Sequence, residues 1–167
     1  MKRLIASVDR LTQVLNAVAN GITVQDHEGK LVFVNESAAR MMHCSSSEEA
    51  LAKGGRAILK EFVFFDVHGR PLDPKQLPGR RALQGEPEPS VIVGYSWKGK
   101  PNSLRWTAIK ALPIKDEAGK VLLSVNVLED VTDQKRVERQ LKEANARVTK
   151  LLEQTLTVDD AYSNGRI

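Results

Sequence analysis

Residues 120–158 constrain the fold more than any other stretch, because they read as a strand that turns directly into a charged amphipathic helix. Lys120–Leu128 holds Val121, Val125 and Val127 among other apolar residues, and β-branched side chains at this density favour a strand. After Glu129-Asp130-Val131-Thr132-Asp133 the spacing changes. Val137, Leu141, Ala144, Val148, Leu151, Thr155 and Val158 fall alternately four and three apart, which is a seam of heptad a and d positions. Glu138 with Lys142 and Glu143 with Arg147 are favourable pairs worth about 0.2–0.5 kcal/mol each, too little to decide what the helix associates with. Ala144 and Thr155 weaken the seam. Two arrangements remain open: a marginal coiled coil with a second copy, or a single helix folded back on its own sheet.

A second seam opens the chain. Leu4, Val8, Leu11, Leu15 and Val18 repeat the same spacing over about four helical turns, and Asn20-Gly21 ends them. Ile22–Gln25 and Lys30–Asn35 then read as two strands around Asp26-His27-Glu28-Gly29, with Gly29 supplying the positive φ of the turn. Asn35 is placed to cap a helix through Met42, and Ser45 or Ser46 to cap a second short one. Ala57–Phe65 is an apolar run that fits either a helix or a strand. Gln76–Gln84 predicts a helix closed by Gly85, and three strands follow over Ser90–Trp97, Ser103–Ile114 and Lys120–Leu128. Asp116-x-x-Gly119-Lys120 echoes Asp26-x-x-Gly29-Lys30, and one such recurrence points to shared turn chemistry rather than internal duplication. The order predicts an α+β fold: a five-stranded antiparallel sheet with short helices on one face. Residues 1–19 form a flanking helix, 20–132 the domain, 133–158 the coiled-coil linker and 159–167 a disordered tail.

Composition excludes several functions. The net charge is +4, but the basic residues of the last helix are interleaved with Asp133, Glu138 and Glu143, and aromatics make up only 5%. That describes a solvated helix face better than a nucleic-acid surface, which needs a basic stripe and stacking platforms. No run reaches the length of a membrane span, and the amino terminus lacks the apolar core of a signal peptide. The lone Cys44 permits no internal disulfide, and a cytoplasmic protein is expected. Three histidines and one cysteine show no metal-site spacing. There is no phosphate-binding glycine loop, nucleophile elbow or kinase signature, so the chain is not expected to be an enzyme.

Several local motifs, in order, resemble the PAS superfamily over about residues 12–133. They are Gly21–Asp26 through Phe33-Val34-Asn35-Glu36-Ser37-Ala38-Ala39; Gly69-Arg70-Pro71-Leu72-x-Pro74 with Leu77-Pro78 and Arg81-Ala82-Leu83-x-Gly85-Glu86; Asp116-x-x-Gly119-Lys120; and the exit Asp130-Val131-Thr132. The resemblance implies a sensor module of the kind found in sensor kinases, cyclic-dinucleotide enzymes and phosphatase regulators. Such a module binds a small molecule between sheet and helices, or only holds a dimer together. It also implies which cofactors to look for. The Asn-Cys-Arg run of flavin-adduct members is missing, and Leu128 stands where the light-sensing group carries a glutamine. The longer helix lacks the histidine of haem-binding members. The cofactor is therefore unassigned, and a small apolar ligand is compatible with what remains.

Side-chain alternation on the last strand puts Ser124, Asn126 and Leu128 on one face and Val121, Leu123, Val125 and Val127 on the other. Alternation alone does not choose which face meets the helices. If the family's geometry holds, Ser124 and Asn126 are polar handles in an apolar pocket, with Leu128 as a wall and Trp106 as either a wall or a dimer contact. Asp130 and Thr132 are then the residues that cap the bend and transmit the signal. A homodimer is expected through Leu4, Val8, Leu11, Leu15, Val137, Leu141, Val148 and Leu151, with an output domain as the further partner.

Overall fold

The computed structural model describes the backbone of residues 2–100 and 102–163 and the side chains of residues 9–100 and 102–155. The chain divides into two compact units, Met1–Val131 and Thr132–Ile167. The first begins with α1 (Lys2–Ala17) and the hairpin β1 (Gly21–Asp26) and β2 (Leu31–Val34). Three short helices follow, α2 (Glu36–Met41), α3 (Ser47–Lys53) and α4 (Gly55–Lys60), then β3 (Phe62–Phe65), a 3-10 turn (Pro74–Gln76) and α5 (Pro78–Leu83). The unit closes with β4 (Ser90–Trp97), β5 (Arg105–Lys115) and β6 (Val121–Asp130). Every pairing is antiparallel, in the order β2-β1-β6-β5-β4-β3.

The α+β class is as expected, but the sheet has six strands rather than five. The extra strand lies in the apolar run of undecided type. Ala57–Phe65 breaks at Glu61, the C-cap of α4, and Phe62–Phe65 then adds to the edge of β4. The helix expected over Gln76–Gln84 is also split. Pro78 has no N–H to give and suits the first turn of a helix, so α5 starts there and a separate 3-10 turn precedes it.

Local chemistry fixes the connections. Asp26, Asp66 and Asp116 each head the same turn, with the Oδ1 atom accepting from the backbone N–H two and four residues on. Each turn closes at a glycine with φ of 78°, 78° and 81°, at Gly29, Gly69 and Gly119. Three unrelated connections share it, which supports turn chemistry over duplication. Asn35 is fully buried. Its Oδ1 accepts from Ala38 N to cap α2 and from Ile22 N, while its Nδ2 donates to the Leu15 and Asn20 carbonyls. One side chain thereby ties the end of α1, the start of β1 and the start of α2. Ser46, of the two serines considered, caps α3 through Glu49 N.

Helices α2, α3 and α5 pack on β1, on β2 and on β5 with β6 respectively. The core beneath them includes Leu31, Ile58, Phe62, Phe64, Val93 and Ile109.

The second unit is α6 (Thr132–Ser163). Residues 159–163, expected in a disordered tail, continue the helix, and 164–167 lie outside the described residues. Lys135 and Lys142 both donate to Glu138 at 2.8 Å and hold its carboxyl down at about 2. Glu143 meets Arg139 at 3.7 Å. Among the described residues no helix is long and apolar enough to cross a membrane.

Candidate functional site

The inner face of the sheet encloses a cavity of about 130 Å³ against α2, α4 and α5. Alternation selects what enters it. On β6, Ser124 is fully buried and Asn126 is 5% exposed while Val125 and Val127 are only half-buried, so Ser124 and Asn126 face the helices; Leu122, on the same face, is 44% exposed. Asn126 and Leu128 line the cavity. Ser124 is buried without lining it, opposite Gln25 in the β1–β6 register.

The cavity has two ends. Towards β3 and β4 its walls are apolar and aromatic, with Phe62 and Tyr95 rings 5.7 Å apart edge-on. Burial, with a smaller contribution from the Asp130 charge, pushes the Tyr95 phenol up to about 12. It therefore stays protonated at neutral pH. Towards β1 and β6 the walls are polar. Asn126 Nδ2 donates to Thr23 Oγ1 at 3.2 Å, and these two residues are register partners. Gln25 Oε1 and Ser124 Oγ are buried with no hydrogen-bond partner. Unpaired buried polar atoms are costly and uncommon, and one of the two belongs to Gln25, which lines the cavity; that is the chemistry of a site open to a ligand.

Gly79 of α5 makes this end compact. A β-carbon there would stand 2.5 Å from Asn126 Oδ1 and 2.9 Å from Gln25 Oε1. The next residue, Arg80, lies over the β1–β2 turn, where a β-carbon on Gly29 would be 2.6 Å from Nη1. Thr23, Gln25, Gly79, Arg80 and Thr107 are not singled out by the sequence. The Pro78-Gly79 pair at a helix start was the one available signal.

Of the two places expected for Trp106, cavity wall or dimer contact, the first is corrected. On β5 it is Thr107 and Ile109 that point inward, which places Trp106 on the outer face. There its indole covers its register partner Gly94, with Cη2 3.2 Å from where a β-carbon would be. Asp130 ends β6 and pairs with Arg105 on the neighbouring strand at 3.0 Å, and Thr132 opens α6. Of the expected dimer residues, Leu4 and Val8 have side chains outside those described, Leu11 is exposed and Leu15 is half-buried. Among the described residues no cluster of His, Cys, Asp and Glu could hold a metal ion.

An antiparallel sheet that curls over short helices, encloses a small cavity and ends in a strand continuing to a long helix defines a PAS-type sensory fold. Residues 9–77 match the PAS domain family, which supports membership of the PAS domain superfamily. It is 25% identical over 139 residues to the alginate biosynthesis sensor protein KinB of Pseudomonas aeruginosa, covering 83% of this chain. The match spans 21% of that relative's length. Its fold is similar to the PAS domain of a Colwellia psychrerythraea protein, with TM-score 0.53, 16% identity, and coverage of 75% of this chain and 98% of that one. It is also similar to a PAS domain from a two-component sensor histidine kinase, with TM-score 0.51, 12% identity, and coverage of 78% and 99%.

Proposed function

We propose that this chain is a sensor module, not itself an enzyme, that binds a small molecule in the cavity and signals through β6 and α6. The output domain, of the sensor kinase, cyclase or phosphatase type, lies outside this chain. One observation carries the reading: Asn126 and Leu128 reach into the cavity from the strand that ends at Asp130, with Val131 alone between it and the start of α6. A ligand that shifts Asn126 strains the β1–β6 pairing, and the covalent path from β6 leads to α6. A two-state element that responds to small differences in contact free energy is what such a switch requires. In this reading the protein is a cytoplasmic homodimer, with Asp130 and Thr132 transmitting. Leu141 and Leu151 are 60% and 62% exposed in one copy, which supports a second copy along the α6 seam.

The small size of the cavity favours a second reading, a dimerisation module with no ligand. Native mass spectrometry of the purified protein, set against its denatured mass, separates the two. The sensor reading expects a dimer carrying extra mass that is lost on denaturation. A dimer without extra mass favours the ligand-free module, and a monomer overturns the coiled-coil route.

A further inference from the structure

Resting on the reading of the cavity as a ligand site, we infer that its ligand is a small organic anion, a one-ring or short branched carboxylate held by Arg80. Size comes first. An apolar cavity of about 150 Å³ holds a single benzene ring, and this one is about 130 Å³. Drug-sized ligands need about 300–1,000 Å³, so flavins, haem and nucleotides are too large.

Charge gives the class. Arg56 and Arg80 both line the cavity, and no aspartate or glutamate does. Arg81, the neighbour of Arg80, is paired with Glu86, whereas Arg80 has no carboxylate partner among the described residues. Arg80 is half-buried over Gly29, close to the polar end formed by Gln25 and Asn126. A positive, acid-free lining repels amines and rewards an anion. A planar carboxylate matches the guanidinium fork, and the charge-assisted hydrogen bonds are the strong kind.

Polarity orients the ligand. The unpartnered Oε1 of Gln25 can accept from a ring hydroxyl, and rotation about χ3 brings the NH2 to the carboxylate instead. Phe62, Phe64 and Tyr95 line the opposite end and take the apolar body.

The test titrates the full 167-residue protein at pH 7 with benzoate, benzyl alcohol, benzylamine and inorganic phosphate, followed by amide chemical shifts. Dissolved xenon serves as a neutral cavity probe. Benzoate is expected to bind about tenfold more tightly than benzyl alcohol, the factor for one charge-assisted hydrogen bond, with benzylamine weakest. Arg80→Gln should remove that advantage and leave benzyl alcohol binding within about twofold. Equal binding of benzoate and benzyl alcohol overturns the anion inference while the cavity reading stands. Phosphate binding as well as benzoate shows a generic anion spot and also overturns it. Retained benzoate preference in Arg80→Gln overturns the assignment to Arg80. If neither the ring compounds nor xenon shifts cavity resonances, the ligand-site reading itself falls. The compound series decides the charge preference without any variant, so a misfolded Arg80→Gln does not shelter the inference.

Discussion

A β-carbon on Gly79 would stand 2.5 Å from Oδ1 of Asn126, so the backbone of α5 rests directly on the polar end of the cavity. The nearest atoms come from two strands, Gln25 on β1 and Asn126 on β6, and both are amide oxygens. Any side chain at position 79 must push the helix off the sheet or turn these amides. Gly79→Ala should therefore destabilise the fold by about 1–3 kcal/mol, the usual range for overpacking. In an Asn126→Ala background the penalty should shrink, because the closest contact is gone. Urea denaturation of the two single variants and the double variant measures the coupling. Equal penalties in both backgrounds would show that the approach of Gly79 to Asn126 is not what position 79 protects.

Asn35 carries a larger share of stability. It is fully buried, and its four hydrogen bonds bind three elements whose residues are far apart in sequence. Asn35→Ala leaves two N–H groups and two carbonyls to find other partners, and should cost about 3–5 kcal/mol. Asn35→Asp keeps the acceptor that caps α2 but turns the donor into a second oxygen facing the Leu15 and Asn20 carbonyls. It should be destabilised at neutral pH and recover as the medium is acidified and the carboxyl gains a proton. Chemical denaturation at pH 7 and pH 4 tests this, and a pH-independent loss would contradict it.

These two residues show what the sequence could and could not reveal. Asn35 was readable as a cap because its role in α2 is local, within three residues. Its bonds back to Leu15 and Asn20, like the meeting of Gly79 with Gln25 and Asn126, depend on how distant segments come together. The Asp-x-x-Gly turns are readable for the same local reason, although Asp66–Pro74 reads from the sequence only as a turn-rich loop. Ala57–Phe65 was undecidable because a short apolar run carries no period that separates a buried helix from an edge strand. Trp106 was misplaced for want of register. Only the pairing of β4 with β5 shows that Gly94 lies opposite it, on the outer face.

The three Asp-headed turns make a comparative prediction. In each, one carboxylate oxygen accepts two backbone N–H groups, at distances of 2.8–3.0 Å. Asp26→Ala, Asp66→Ala and Asp116→Ala should each lower the melting temperature, as the loss of a helix cap does. Asp66 has its carboxyl held below its usual range, chiefly by the Arg70 backbone N–H. A depressed carboxyl stabilises the fold above its unfolded pKa and loses that contribution as pH falls through the folded value. Asp66→Ala should therefore flatten part of the stability loss below about pH 4. Thermal melts from pH 2 to 7 would show it, and an unchanged acid limb would rule it out.

Tyr95 sets the alkaline limit. Burial, with the Asp130 charge as the lesser cause, raises its phenol from 10.0 to about 12. The folded state thus holds the proton more tightly than the unfolded chain does. Its contribution is complete below the unfolded value and is lost as pH rises through the folded one, so the protein should weaken between about pH 10 and 12. Tyr95→Phe has nothing to ionise and should keep its stability through that window. Because Tyr95 lines the cavity, its ionisation also reports occupancy. A bound carboxylate adds negative charge to the cavity, at the end opposite Tyr95, and should move the phenol's absorbance titration by a small step to higher pH, whereas a neutral ring of the same size should not. Identical titrations with benzoate and benzyl alcohol would mean that no anion sits in the cavity with Tyr95.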